Sequence, residues 1–262
     1  MKFAVKYDLL QDWFRKHSKV AIAFSGGVDS TFLLACAHKA CHGEVIALTV
    51  KTPYIPDWET VEAAAFCAEH KIRHLITEAD INPEILNNPT NRCYLCKKQL
   101  FGMLKSIAGE QGFDTVIDGS NADDSGVYRP GLAALNELGI QSPLLELGIT
   151  KAEVRGMAAQ LGLSIAQKPS YACLLTRLPY NYRVDTGELQ RIEKAERYLA
   201  SLGYANSRVR SYGEMARVEL EKDRIIEFMK SEKSDLLTAR FHELGYRHIG
   251  IDPEGYRSGS FD

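Results

Sequence analysis

The hexapeptide Ser25-Gly26-Gly27-Val28-Asp29-Ser30 combines, at one turn, residue types that can receive both an anion and a metal ion. Two glycines let the backbone turn sharply and bring its N–H groups close to an anion, and a helix opening behind them adds positive potential. Ser25 and Ser30 add hydroxyl donors, and Asp29 can hold a magnesium ion against phosphates. No Gly-Lys-Ser/Thr follows, so this is not a Walker A loop. At average residue usage five such fixed positions match by chance about once per million start sites. The alternative is an ordinary glycine-rich turn between a strand and a helix.

Three of the six cysteines form a second group with chemistry open to them. In Asn91-Arg92-Cys93-Tyr94-Leu95-Cys96-Lys97-Lys98 two thiols stand at i and i+3, on one face of a helix or its first turn. That spacing suits two ligands of one soft metal centre, a thioredoxin-like redox pair, or two small core residues. Cys173 lies in Pro169-Ser170-Tyr171-Ala172-Cys173-Leu174-Leu175-Thr176-Arg177, outside regular structure, as a reactive or a buried loop thiol. Cys36, Cys41 and Cys67 sit in helical apolar patterns and are assigned to the core. A closed zinc site would need a fourth ligand, and no second Cys-x-x-Cys or paired-histidine motif supplies it. Three thiolates fit a 4Fe–4S cluster with one iron open to carry an exogenous sulfide.

These groups need a frame. Lys19–Phe24 is a near-continuous apolar run, as in a strand buried on both faces of a parallel sheet. After the loop, Phe32, Leu33, Cys36, Ala37 and Ala40 fall on helical spacing up to Gly43. Strands are expected at Val20–Phe24, Glu44–Val50, Ile72–Ile76 and Thr115–Asp118, separated by helices near 30–41, 58–70 and 94–111, with a fifth strand near Ser142–Leu145. The alternation predicts an α/β, Rossmann-like fold: a parallel sheet with helices on both faces and a ligand at the strands' carboxyl ends. Thr150-Lys151-Ala152-Glu153 reads as a capping box opening a helix whose buried stripe is Val154, Met157, Ala158 and Leu161, stopped by Gly162.

Ser164–Arg183 carries two prolines and little periodicity, and reads as a connecting loop. From Glu188 a helix (Leu189, Ile192, Ala195, Leu199, Leu202) ends at Gly203. Strands at Ser207–Tyr212 and Ala216–Leu220, helices near 222–230 and 234–244, and a strand at Arg247–Ile251 complete a small α+β unit. The expected domains are therefore residues 1–180 and 181–262, the second a substrate-binding or oligomerisation unit. The 262-residue chain has an ordinary globular composition, and its net charge of −2 argues against a surface built mainly for nucleic acid. The N-terminus has no signal-peptide apolar core and no 18-residue apolar run exists, so a cytoplasmic protein without membrane partners is expected. In that compartment the cysteines are core residues, metal ligands or reactive thiols rather than disulfides.

Ser-Gly-Gly-x-Asp-Ser resembles the PP-loop of the ATP pyrophosphatase superfamily, which implies cleavage of ATP between its α and β phosphates. The chain as a whole resembles the LarE family of ATP-dependent sulfur transferases. The resemblance rests on Ala23–Ser30, Asp118-Gly119-Ser120-Asn121-Ala122-Asp123-Asp124, Tyr128-Arg129-Pro130-Gly131, Thr176-Arg177-Leu178-Pro179-Tyr180, Arg208-Val209-Arg210 and Gly255-Tyr256-Arg257-Ser258-Gly259. It implies adenylation of a carboxylate of pyridinium-3,5-biscarboxylic acid mononucleotide, then sulfur transfer to give a thiocarboxylate on the way to a nickel-pincer nucleotide. ATP, Mg2+ and sulfide or another sulfur donor are the implied reactants, and a homo-oligomer is expected. One branch of the family sacrifices a single loop cysteine; another binds a 4Fe–4S cluster through a Cys-x-x-Cys and a loop cysteine. Cys93, Cys96 and Cys173 match the second pattern.

The carried-over residues have physical roles to meet. ATP falls to Ser25, Gly26, Gly27, Asp29, Ser30, Asp118 and Gly119. Lys97 neutralises phosphate charge during adenylation, or is a surface lysine lying along apolar neighbours. Asp123 and Asp124 bind magnesium or cap the next turn. Arg208 and Arg210 alternate along a strand, so both point to one face, either onto the acceptor's phosphate or along a solvated strand edge. Arg177 and Arg257 bind carboxylate or phosphate, or make surface salt bridges, and Glu196 serves the substrate or is simply exposed. Two other classes stay in view: a PP-loop tRNA thiolase, and a nucleotide-binding metal or redox sensor that releases no pyrophosphate.

Overall fold

Alternation along single strands explains the architecture. In β1 (Val20–Ala23), Val20 and Ile22 pack on one side of the sheet while Ala21 and Ala23 pack on the other. In β2 (Val45–Lys51), Val45 and Ala47 join the first side, and Ile46, Leu48 and Val50 the second. A strand apolar on both faces must be covered on both. The computed structural model, which describes residues 2–17, 19–41, 44–125, 130–169 and 171–257, supplies both covers. On the first side lie α1 (Lys2–Lys16), α2 (Val28–Ala40) and α3 (Asp57–Glu69), whose core residues include Leu10, Phe14, Phe32, Leu33, Ala63 and Cys67. On the second lies α4 (Arg92–Glu110), through Leu104 and Ala108.

With β3 (Arg73–Glu78) and the two-residue β4 (Val116–Ile117), the strands form one parallel sheet of order β3-β2-β1-β4. The chain leaves β1 for β2 on one side and reaches β4 on the other, so the order reverses between β1 and β4. That reversal opens a crevice at the strands' carboxyl ends. Ser25–Gly27 follows β1 and Asp118–Gly119 follows β4, so both loops flank it. Helices α5 (Pro130–Leu138), α6 (Pro143–Glu146) and α7 (Lys151–Gln160) finish this unit, which comprises residues up to Thr52, Asp57–Glu84 and Asn91–Tyr171.

The expected fifth strand at Ser142–Leu145 is the short helix α6. Pro143 has no N–H to give a ladder, and its fixed φ suits the first position of a helix, with Ser142 at the N-cap. Only Gln141 bridges to Ile117. The capping box forms as expected: the Thr150 side chain accepts from the Glu153 N–H, and the Glu153 carboxylate accepts from the Thr150 N–H at 2.9 Å. Leu161 does not join the buried stripe expected to end on it; it is the C-cap of the helix and is 40 % exposed. The segment read as a connecting loop holds two 3-10 turns, Ser164–Gln167 and Leu174–Arg177. The helix end expected at Gly43, Tyr128 and Arg129, Ser170, and Ser258-Gly259 lie outside the described residues.

The second compact unit runs from Ala172 and takes in Pro53–Pro56 and Ile85–Thr90. Its helix α8 (Thr186–Ser201) is capped by Asp185, whose carboxylate accepts from the Glu188 N–H at 2.8 Å. Strands β5 (Arg208–Tyr212) and β6 (Met215–Glu219) pair antiparallel, and β7 (His248–Ile251) joins β6 in parallel. Helices α9 (Ile225–Lys230) and α10 (Lys233–Glu243) close a core of Leu199, Val209, Val218, Phe228 and Phe241. Among the described residues no helix is long and apolar enough to cross a membrane.

Candidate active site

In the first unit, the turn after β1 is shaped by what surrounds it. Gly26 holds φ at +69°, and a Cβ there would meet Ala63 Cβ and the Glu59 carbonyl, each at 3.2 Å. Both glycine properties are used: the left-handed backbone and the close approach of α3. Gly27 is the N-cap of α2 and offers no side chain to its first turn. Ser25 and Ser30 place their hydroxyl oxygens 3.2 Å apart, and Ser30 donates to the Gly27 carbonyl at 3.2 Å. Behind the loop, Thr49 Oγ1 donates to the Phe24 carbonyl at 2.5 Å, and His74 Nε2 lies 2.8 Å from the same hydroxyl. The rigid frame ends where the glycines begin.

Gly119 comes against the same helix start. A Cβ on it would stand 3.0 Å from Ser30 N and 3.3 Å from Asp29 Cβ. Any side chain there would press on the first-turn N–H groups of α2. Asp118, nearly buried, accepts from Ser120 Oγ at 2.6 Å and Ser142 Oγ at 2.5 Å, and faces Lys97 Nζ at 3.7 Å. Lys97 also lies over the Phe101 ring, and a Cβ at Gly131 would strike its Cδ at 2.8 Å. Three neighbours, in the loop after β4, in α4 and in α5, therefore aim this lysine, which a free surface lysine would not need.

Asp29 forms an ion pair with Lys151 through Oδ2, while its buried Oδ1 has no hydrogen-bond partner. Burial pushes the Asp29 carboxyl up, and the Lys151 hydrogen bond opposes it. An orphaned carboxylate oxygen beside an anion cradle is a group that would hold a divalent cation, and the cation would screen phosphate charge there. Asp123 and Asp124 are engaged as caps. Asp123 Oδ2 accepts from the Lys151 N–H at 2.9 Å, and Asp124 Oδ2 from the Asn121 N–H at 3.0 Å. Among the described residues no three His, Cys, Asp or Glu side chains gather as a metal site.

Two lysines at this site escape sequence reasoning. Lys151 reads there only as the second residue of a capping box, and Lys168 only as part of a loop. Lys168 Nζ donates to the Gly26 carbonyl at 2.9 Å and pairs with Glu62 at 2.5 Å. Arg155 holds that segment by donating to the Ala166 and Lys168 carbonyls at 2.5 and 2.7 Å. A usable signal exists for Lys151: a cation in the first turn of a helix opposes the macrodipole, so it asks for another reason to be there.

The thiols separate cleanly. Cys36, Cys41 and Cys67 are buried, and burial pushes Cys41 up to about 11, Cys67 up to about 12 and Cys36 higher still. Cys93 is exposed and Cys96 half-buried, on the first and second turns of α4.

In the second unit, Cys173 is half-buried and opens the 3-10 turn Leu174–Arg177. Its carbonyl accepts from Thr176 Oγ1 at 2.9 Å. Fully buried Asn88 donates through Nδ2 to the carbonyls of Leu175, Leu178 and Pro179 at 3.2, 3.2 and 2.8 Å, pinning the end of this turn. Arg177 is buried rather than at the surface, and Glu196 with it. The guanidinium binds both Glu196 oxygens at 2.8 and 3.0 Å and donates to the Ala172 carbonyl at 3.1 Å. Burial opposes its charge, but Glu196 outweighs that, with Cys173 and Tyr256 contributing, and the group is held above its ordinary value. Arg177 thus braces the backbone next to Cys173.

Arg208 and Arg210 are buried as well, which removes the solvated-edge alternative even though β5 is an edge strand. Their partners diverge. Arg210 binds Glu219 through both oxygens at 2.9 and 2.8 Å and donates to the Thr176 carbonyl at 2.6 Å. Arg217 stands directly opposite Arg210 in the register and shares Glu219 at 3.1 Å, which relieves the like-charge pair. Arg208 donates to the Ser207 carbonyl at 2.6 Å and lies over the Tyr256 ring at 4.5 Å. Arg257 is the surface residue of the set, paired with Glu254 at 2.5 Å.

Known proteins resemble this chain over most of its length. The PP-loop domain family matches residues 1–126. An uncharacterized protein of Synechocystis is 38 % identical over 259 residues, 98 % of this chain and 97 % of that protein. The pyridinium-3,5-bisthiocarboxylic acid mononucleotide synthase of Lactiplantibacillus plantarum is 33 % identical over 244 residues, 92 % of this chain and 88 % of that protein. A tRNA-specific 2-thiouridylase of Trichlorobacter lovleyi is 27 % identical over 186 residues, 58 % of this chain and 52 % of that protein. The similarity to the synthase covers nine-tenths of the chain at this identity, and the chain belongs to the LarE family of PP-loop sulfur transferases.

Proposed function

We propose that the protein activates a carboxylate of pyridinium-3,5-biscarboxylic acid mononucleotide with ATP and replaces the activated oxygen by sulfur, as a step in nickel-pincer nucleotide biosynthesis. The observation that carries the reading is the cradle between β1 and β4: Gly119 clears space at the start of α2 and Gly26 lets the loop turn against α3, with Lys97 and Asp29 at its rim. The acceptor's carboxylate oxygen attacks the α-phosphorus of ATP. The bond from that phosphorus to the bridging oxygen breaks and pyrophosphate leaves, giving an acyl adenylate. Sulfide then attacks the acyl carbon, the bond to AMP breaks, and a thiocarboxylate and AMP are released.

Ser25, Ser30 and the first-turn N–H groups of α2 receive the leaving pyrophosphate, whose charge the helix N-terminus favours. Lys97, aimed by Asp118, neutralises charge at the phosphate that transfers. Asp29 is the residue that holds Mg2+, through the oxygen left without a partner; the ion screens the phosphates when bound. Cys93, Cys96 and Cys173 hold a 4Fe–4S cluster, which supplies a replaceable site for sulfide when bound. Supporting this donor set, these three thiols escape the burial that keeps Cys36, Cys41 and Cys67 protonated. We assign acceptor recognition to the second unit, with Arg208 and Arg257 toward the phosphate and carboxylate. Arg177, Glu196 and Arg210 hold the Cys173 turn and strand β5 in place.

The test is anaerobic incubation with ATP, Mg2+, acceptor and sulfide. Pyrophosphate and AMP are expected in step with thiocarboxylate, and Asp29→Ala abolishes all three. ADP and orthophosphate instead would overturn the reading. Replacing any one of Cys93, Cys96 and Cys173 should lower iron content and stop thiolation while acceptor-dependent pyrophosphate release continues. A protein lighter by hydrogen sulfide at Cys173, with Cys93 and Cys96 dispensable, would exchange the cluster for a consumed cysteine.

A further inference from the structure

Lys151 is a cation that the fold has gone out of its way to place. It occupies the first position of α7, where the helix macrodipole disfavours it, and nothing in the capping box requires a basic residue. Thr150 and Glu153 complete the cap without it, and its N–H is taken by Asp123. Its ammonium instead reaches Asp29 Oδ2, in the phosphate loop of the same unit. The other oxygen of that carboxylate is the buried, unpartnered Oδ1. Arg155, on the next turn of α7, adds further positive potential at Asp29.

A single carboxylate facing an ammonium and a divalent cation holds each less tightly than it would hold either alone. Lysine, unlike arginine, is a compact charge on a flexible four-carbon stem and can change partners without rebuilding a planar fork. The Lys151 side chain keeps 27 % exposure, enough freedom to turn. Lys168 differs: its ammonium is held by the Gly26 carbonyl and Glu62 and supports the loop from outside.

We propose that Lys151 is a catalytic residue that exchanges partners. It rests on Asp29 in the free protein, yields that carboxylate to Mg2+ when ATP binds, and transfers its ammonium to the phosphates that leave as pyrophosphate. This deepens, and rests on, the pyrophosphate-releasing reading above. The exchange keeps Asp29 neutralised at every stage and delivers a positive charge where negative charge develops.

Calorimetric titration with pyrophosphate alone tests it without turnover. Lys151→Met should bind pyrophosphate roughly ten- to a hundredfold more weakly than wild type, as for loss of a charge-assisted hydrogen bond, and Lys151→Arg should recover most of that loss. Mn2+, counted by electron paramagnetic resonance in the absence of nucleotide, should bind Lys151→Met more tightly, since its competitor for Asp29 is gone. Amine acetylation of the unmutated protein, read by peptide mass spectrometry, is independent of how the variants fold. Mg2+ alone should raise labelling of Lys151, and pyrophosphate with Mg2+ should suppress it. Unchanged pyrophosphate affinity in Lys151→Met, or labelling of Lys151 that pyrophosphate does not alter, overturns the proposal. Weaker Mn2+ binding alongside weaker pyrophosphate binding also overturns it, because that pattern marks a collapsed cradle. Wild-type protein that binds no pyrophosphate at all would instead overturn the ATP-cleaving reading itself.

Discussion

The two units use positive charge in opposite ways. In the first, Lys97 and Lys151 have side chains 34 % and 27 % exposed, each facing one carboxylate at the mouth of the cradle. In the second, Arg177 and Arg210 are 2 % and 5 % exposed, each clasping a buried glutamate through both oxygens. A partly exposed ammonium with one carboxylate partner costs less to redirect. A buried guanidinium with its fork closed cannot be redirected without stranding a carboxylate in the interior. The first arrangement suits contact with a ligand that comes and goes, and the second suits holding backbone in place around a reacting group.

The sharpest way to break this contrast is to remove one carboxylate from each unit. Glu196→Gln leaves the Arg177 guanidinium buried with a neutral partner, and should destabilise the protein by about 3–5 kcal/mol, as for other broken buried pairs. Chemical denaturation reads this as a shift in midpoint at constant slope. Asp118→Asn keeps the hydroxyl partners Ser120 and Ser142 but loses the charge that aims Lys97. Its expected stability cost is smaller, about 1–2 kcal/mol, while pyrophosphate release falls tenfold or more. Equal stability losses with activity untouched in Asp118→Asn would erase the distinction between the units.

Of intermediate size is the alkaline limb of the stability curve. Cys41 and Cys67 hold protons in the native state up to about 11 and about 12, whereas an unfolded thiol ionises near pH 8.5. The raised native values mean that their contribution is complete below pH about 8.5 and is lost as pH climbs through the native pKa values. Above pH about 8.5 the unfolded state binds fewer protons than the native one, so stability falls by up to about 1.4 kcal/mol per pH unit for each such thiol. Denaturation midpoints between pH 8 and 11 should show this slope, and Cys41→Ala should reduce it. Over the same range iodoacetamide should modify Cys93, Cys96 and Cys173 in the native protein and spare the other three until unfolding. Native modification of Cys67 would show its shielding to be incomplete.

The sheet and its loop were legible because their signals are local. An apolar run, two glycines and a helical stripe lie within Lys19–Ala40, and that order needs no distant partner to be read. The fifth strand failed at Pro143, where a local signal was available and was outweighed by the apolar pattern around it. Lys151 and Lys168 were missed for a different reason. Their partners, Asp29, Gly26 and Glu62, lie more than a hundred residues away in sequence, and no periodicity points across such a gap. The arginines of β5 were read without their glutamates, because the Arg210–Glu219 pair exists only once the hairpin register is set. Asn88 shows the same limit: an Asn-Pro step reads as a turn, yet its side chain organises carbonyls some ninety residues on.

The smallest expected effect sharpens the comparison from its edge. Arg257 carries the same guanidinium as Arg177 but sits at the surface, 2.5 Å from Glu254 three residues before it. Solvent screens such a pair, and exposed i,i+3 contacts contribute at most a few tenths of a kcal/mol. Arg257→Ala should therefore leave the denaturation midpoint within about 0.5 kcal/mol of wild type. What it does to the acceptor then decides its role, because stability no longer confuses the reading. If Arg257 meets the acceptor's carboxylate or phosphate, the acceptor KM rises roughly tenfold with little change in the KM for ATP, as for loss of one charged hydrogen bond. If both KM values hold, the residue is only a partner for Glu254, and acceptor recognition in this unit falls to Arg208.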